Sequence, residues 1–196
     1  GEVPAPVPGA GEVLIRVAAA GLNRADLLQM RGQYPPPPGA SSIPGLECAG
    51  VVDRLGEGVD SVRLGDRVMS LLAGGGQAEW VAVPAGQLMP VPENLTLAEA
   101  AAIPEAALTA WTNLVVEGGL RAGETVLVTG ATSGIGTFAV QLIRELGGRA
   151  IAAARSVERL EKLRDFGVEN VVPFDAGYPK RVRDLTGGRG VDLVLD

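Results

Sequence analysis

The stretch Thr129-Gly-Ala-Thr-Ser-Gly-Ile-Gly136 sets Gly130 just after the apolar run TVLV and Gly134 and Gly136 at the start of the amphipathic run GIGTFAVQLIRELGG. A glycine-rich turn from a buried strand into a helix lets the main chain approach a pyrophosphate. The free N–H groups of the first helical turn then attract the anion. Gly134, Ile135 and Gly136, with the hydroxyls of Thr132 and Ser133, are the expected contacts. The competing reading is a tight turn that binds nothing. A second clue follows the next strand-like run, RAIAAA, where Arg155 and Ser156 stand at the tip and Arg159 one helical turn on. A site built for NADH usually carries Asp or Glu at such a tip to hold the ribose hydroxyls. A guanidinium and a hydroxyl suit a 2′-phosphate instead, so NADPH is the expected cofactor. For Arg159 the alternative is a solvated charge on a helix of alternating signs.

What is missing narrows the chemistry. The 196 residues contain no histidine and one cysteine. Histidine acid–base catalysis, a Ser-His-Asp triad, histidine-containing metal sites and an internal disulfide are therefore excluded. A net charge of −6 without a basic run argues against nucleic acid as a partner. No stretch reads as a membrane span or secretory signal, because Glu99, Pro104 and Glu105 interrupt the alanine-rich run 97–116. A reducing cytoplasmic setting is expected. The chain opens without Met and closes on the strand-like VDLVLD, a layout expected of a piece of a longer protein.

The elements that must position these residues fall into two blocks. Up to about residue 95 the chain reads as short strands separated by turn signals such as GEG and GD, suggesting a small β-barrel-like domain. Thr96 and Glu99 have capping-box spacing, and Pro104 splits two helices. From Gly123 strands and helices alternate: TVLVTG, GIGTFAVQLIRELGG, RAIAAA, SVERLEKLRDFG with Ser156 as N-cap, NVVPF, YPKRVRDLTGG and VDLVLD. That order means a parallel, doubly wound α/β sheet.

TGATSGIG followed by ARSVERLEKL resembles the short-chain dehydrogenase/reductase fingerprint, but over a hundred residues precede it and no Tyr-x-x-x-Lys pair follows. The preceding segments, GLNRADLLQMRGQYPPPPGASSIPGLECAGVV, GEGVDSVRLGDRVMSLLAGGGQAEWVAVP and AAAIPEAALTAWTNL, resemble the medium-chain dehydrogenase/reductase superfamily. Within it they are most similar to the zinc-free quinone oxidoreductase branch of the p53-inducible type. The resemblance implies a GroES-like β-barrel catalytic domain over 1–106 and a truncated Rossmann NADPH-binding domain over 107–196. Zinc-dependent members carry Gly-His-Glu where this chain has Gly45-Leu46-Glu47, so no metal is expected.

By the same resemblance, Asn23 and Tyr34 stand beside the nicotinamide, Asn23 donating through its amide and Tyr34 stacking on the substrate or donating to its oxygen. Their alternatives are a turn-capping Asn and a loop Tyr packed on prolines. Leu28 replaces a second tyrosine of some relatives. Thr109 is implied near the carboxamide and Phe174 at the adenosine, the alternative for Thr109 being a bond to its own helix. Glu47 is expected to be a structural acceptor, Asp26 to hold its loop, and Cys48 to be buried and inert. The implied activity is metal-free hydride transfer from NADPH to a small-molecule quinone in a homodimer. Enone reduction and a non-enzymatic crystallin-like or RNA-binding role are the alternatives.

Overall fold

The computed structural model describes residues 1–196, which divide into two compact units, Gly1–Glu105 and Ala106–Asp196. In the first unit β1 (Glu12–Ala20), β2 (Glu47–Leu55), β3 (Arg67–Leu71), β4 (Trp80–Pro84) and β5 (Leu88–Pro90) form an antiparallel sheet. Its order is β4-β1-β2-β3-β5, and no pairing joins β4 to β5. Successive side chains of a strand point to opposite faces. Val13, Ile15, Cys48, Val52, Val68, Val81 and Val83 accordingly fill one core. Ala49 and Met69 turn the other way and pack with Val91, Ala100 and Ala101, the last two from α2 (Leu97–Ala100) and its C-cap. The Thr96–Glu99 capping box forms as expected, with Thr96 Oγ1 accepting the Glu99 amide at 3.2 Å.

One element of this unit departs from the strand-and-turn expectation. Residues Arg24–Met30 form helix α1. It hides from a periodicity reading because its large apolar side chains, Leu27 and Met30, are exposed while its buried residue is Asp26. The legible signal was the cap: Asn23 precedes the helix and Asp26, three residues on, accepts the Asn23 amide at 2.7 Å.

Helix α3 (Pro104–Trp111) continues as a π-helical stretch, Thr112–Glu117. Beyond it β6 (Thr125–Val128), β7 (Arg149–Ala154), β8 (Asn170–Pro173) and β9 (Leu193–Leu195) form a parallel sheet ordered β8-β7-β6-β9. Helices α4 (Gly134–Glu145) and α5 (Val157–Glu161) cover the face carrying Val126, Val128, Ala152 and Ala154. Helix α6 (Tyr178–Leu185) covers the face carrying Leu127, Ile151, Ala153 and Val172. The sheet is thus wound on both sides, and the winding reverses between β6 and β9. Open parallel sheets bind ligands at such a reversal, beyond the C-terminal ends of the strands. The single helix expected over SVERLEKLRDFG is instead a short α-helix that tightens into a 3₁₀ turn, Lys162–Phe166, and stops at Gly167 with φ +82°.

Candidate functional site

In the second unit the loop after β6 is held by its own backbone. Ala131 N donates to Ala153 O at 3.1 Å and Ser133 N to Gly130 O at 2.9 Å. Ser133 is the N-cap of α4, its Oγ accepting the Gly136 amide at 3.1 Å. The Gly134 and Ile135 amides have no acceptor in the chain, the ordinary condition of the first helical turn. The glycines do different work. A Cβ at Gly136 would lie 2.5 Å from Ala131 Cα, so that glycine permits helix and loop to touch. A Cβ on Gly134 would meet nothing within 4 Å, so nothing inside the protein requires its absence. Two free amides over a space that one methyl would fill fit a pyrophosphate. Thr132 is half-buried and its hydroxyl has no partner.

Arg155 extends from the C-terminal end of β7, exposed and in no ion pair. Ser156 caps α5 by accepting the Arg159 amide at 3.3 Å, which leaves its O–H proton free to donate. Arg159 is likewise exposed and unpaired, whereas the neighbouring Glu158 faces Lys162 at 3.8 Å. Phe174 follows β8 directly, its amide donating to Ala154 O at 2.9 Å, and its ring stacks on Tyr178 with centroids 4.5 Å apart. The loop, Arg155, Ser156 and Phe174 therefore all lie just beyond the C-terminal ends of β6, β7 and β8. Thr109 in α3 is half-buried, and its hydroxyl makes no bond back to its helix, while its carbonyl accepts Asn113 Nδ2 at 2.8 Å.

In the first unit a compact polar cluster surrounds Asn23. Its Nδ2 donates to Glu47 Oε1 at 2.7 Å, and Glu47 Oε2 accepts the Glu105 amide at 2.9 Å. Asp26 is buried and accepts the amides of Asn23 at 2.7 Å and Gly45 at 3.0 Å, which ties the α1 entrance to the turn before β2. Gly45 has φ +112°, and a Cβ there would strike the Gly76–Gln77 backbone. Burial, then the Glu47 and Asp26 carboxylates, hold the Glu105 carboxyl above its ordinary value. Cys48 is fully buried, and burial followed by the charge of Glu47 pushes its thiol up to about 12. Tyr34 is exposed in the loop after α1, with no hydrogen bond of its own and none linking it to Asn23.

Asn23 thus stands at the helix cap, but its side-chain amide is spent partly on Glu47 rather than wholly free to donate outward. The sequence carries no local sign of this link, because the partners are 24 residues apart. Nor did it mark Gly21, where a Cβ would fall 2.0 Å from Glu47 Oε1.

Comparison with known proteins follows the same division. Residues 9–93 match the family described as alcohol dehydrogenase GroES-like domain, and residues 134–196 the family described as zinc-binding dehydrogenase. The synaptic vesicle membrane protein VAT-1 homolog of Rattus norvegicus is 39% identical over 192 residues, 97% of this chain and 47% of that protein. The chain thus spans about half the length of that relative. Among solved structures, CurK enoyl reductase superposes with a TM-score of 0.92 at 30% identity, covering 100% of this chain and 61% of that one. The quinone oxidoreductase of Pseudomonas syringae pv. tomato DC3000 superposes with a TM-score of 0.89 at 29% identity, covering 100% and 61%.

Proposed function

This chain carries the fold of the medium-chain dehydrogenase/reductase superfamily, and from that premise we propose that it serves an NADPH-dependent reductase that reduces a quinone without a metal. The observation that carries the choice of cofactor is Arg155, unpaired and exposed at the tip of β7 beside a serine hydroxyl, where NADH sites place a carboxylate. NADPH supplies a hydride when bound, and a quinone that takes up the hydride and one proton becomes an aromatic hydroquinone.

The chain's own residues do the holding. The free amides of Gly134 and Ile135, in the close approach that Gly136 permits, receive the pyrophosphate, with Thr132 and Ser133 adding hydroxyls. Arg155, Ser156 and Arg159 receive the 2′-phosphate, and Phe174, backed by Tyr178, offers a ring for the adenine. The free hydroxyl of Thr109 is suited to the nicotinamide carboxamide. Asn23 and the Tyr34 hydroxyl are assigned to the substrate oxygen, orientation being the main requirement for an acceptor already electrophilic. Leu46 cannot ligate zinc and no histidine stands in for it, which supports a metal-free reaction. The resemblance to the p53-inducible quinone oxidoreductase type supports a homodimer in a reducing cytosol. No helix is long and apolar enough to cross a membrane.

Reduction of an activated alkene is the second reading, favoured by the likeness to CurK enoyl reductase. Following NADPH oxidation with an ortho-quinone and with an enone separates the two. We expect kcat/KM for the quinone to exceed that for the enone by about tenfold or more. The reverse order assigns alkene reduction, and tight NADPH binding with no turnover of either assigns a non-enzymatic role.

A further inference from the structure

Glu47 is 2% exposed and in no ion pair, yet both its oxygens are engaged: Oε1 by Asn23 Nδ2 at 2.7 Å and Oε2 by the Glu105 amide at 2.9 Å. A carboxylate can only accept. The NH₂ group of Asn23 must therefore face Glu47, and the carbonyl oxygen of that amide is turned to the side of the Asp26 amide at the entrance of α1. Gly21 keeps the carboxylate in place by leaving room for it, since a Cβ there would sit 2.0 Å from Oε1.

We propose that Glu47 is a positioning residue for the reductase reaction: it decides which end of the Asn23 amide meets the reactant. One Nδ2–H of Asn23 is left to donate in a fixed orientation, the carbonyl oxygen lies on the α1 side, and the two cannot exchange places. This rests on the reading that Asn23 contacts the substrate. A glutamine could not replace Glu47, because it offers one acceptor oxygen and one NH₂ to two donors. Either the Asn23 amide turns over, or the Glu105 amide loses its acceptor.

The test uses the full chain and two readouts. In ¹⁵N-resolved NMR, the Asn23 side-chain amide protons (identified by their loss in Asn23→Ala) are expected to be widely split, one shifted downfield by the carboxylate. In Glu47→Gln, and independently in Gly21→Ala, that splitting collapses. With a quinone, Glu47→Gln is expected to lower kcat by about tenfold or more while NADPH affinity stays within about twofold. Adding Asn23→Ala to Glu47→Gln then costs less than about twofold more, because the two act as one unit. An Asn23 signal indifferent to both variants overturns the proposal, as do rate effects of the two substitutions that simply multiply. If the wild-type chain reduces neither quinone nor enone while its Asn23 signal still responds to Glu47→Gln, the reductase reading falls and the Glu47-set orientation stands.

Discussion

Gly134 and Gly136 stand two residues apart in one loop, yet their replacement is expected to fail in different ways. A methyl at Gly136 meets Ala131 backbone at 2.5 Å, so Gly136→Ala should lose about 1–3 kcal/mol of stability, read from thermal or urea unfolding. Gly134→Ala meets nothing inside the protein and should melt like the parent. Its effect belongs to the ligand, with NADPH affinity falling about tenfold by fluorescence titration as the methyl fills the phosphate's space. If Gly134→Ala binds NADPH unchanged, the pyrophosphate is not there. Arg155→Ala removes the one guanidinium at the β7 tip, and the NADPH:NADH ratio of kcat/KM should drop by about 10- to 100-fold. An unchanged ratio would mean that the 2′-phosphate assignment is wrong. The loop and the β7 tip were legible as places in the fold, because a strand–loop–helix–strand pattern fixes where they lie; what they bind is the proposal these variants test. Glu47, Gly21 and Asn23 were not legible as a unit, since only the folded first unit brings them together.

At the scale of the element, Glu105 is set between two opposing influences. An acid in the first turn of α3 is favoured by the helix dipole. Burial and the nearby Glu47 and Asp26 carboxylates outweigh this and raise its proton affinity. The folded chain then binds that proton more tightly than the unfolded chain does. The resulting stability is present below the ordinary value of 4.5 and is lost as pH rises through the folded value. Glu105→Gln should therefore raise Tm at pH 7 by about 2 °C, with the gain disappearing as pH falls below about 4.5. A Tm difference that does not depend on pH would show that the effect is not the charge. The helices differ in how clearly the sequence announces them. Glycine-closed α4 and serine-capped α5 carry both apolar periodicity and a stop or start signal. Only the Asn23 and Asp26 spacing signals α1, because its apolar side chains face outward and its buried side chain is an acid.

On the scale of the whole molecule, alternation of strands and helices announces the parallel sheet, but the place of β9 beside β6 is made by long-range pairing to which one side-chain junction adds. Asp192 accepts the Thr125 amide at 2.8 Å and pairs with Arg189, joining the start of β6 to the approach of β9. The hydrogen bond from Arg189 and then that from the Thr125 amide lower its carboxyl from 3.8 to about 2. Stability from this junction is present above pH 3.8 and lost as pH falls through about 2. Acid titration followed by circular dichroism should show the parent losing structure across that window. Asp192→Asn should begin less stable at pH 7 and lose less across it, and identical acid curves would dismiss the junction. A different consequence follows from Cys48. Quinones and enones are alkylating agents that poison proteins through exposed thiolates. The one thiol of this chain is fully buried and pushed up to about 12, so the native protein offers such a compound almost nothing to attack. Incubated with an excess of benzoquinone, it should give no cysteine adduct by mass spectrometry until urea unfolds it. For the quinone or alkene reduction proposed above, a thiol so placed would spare the protein from its own substrate.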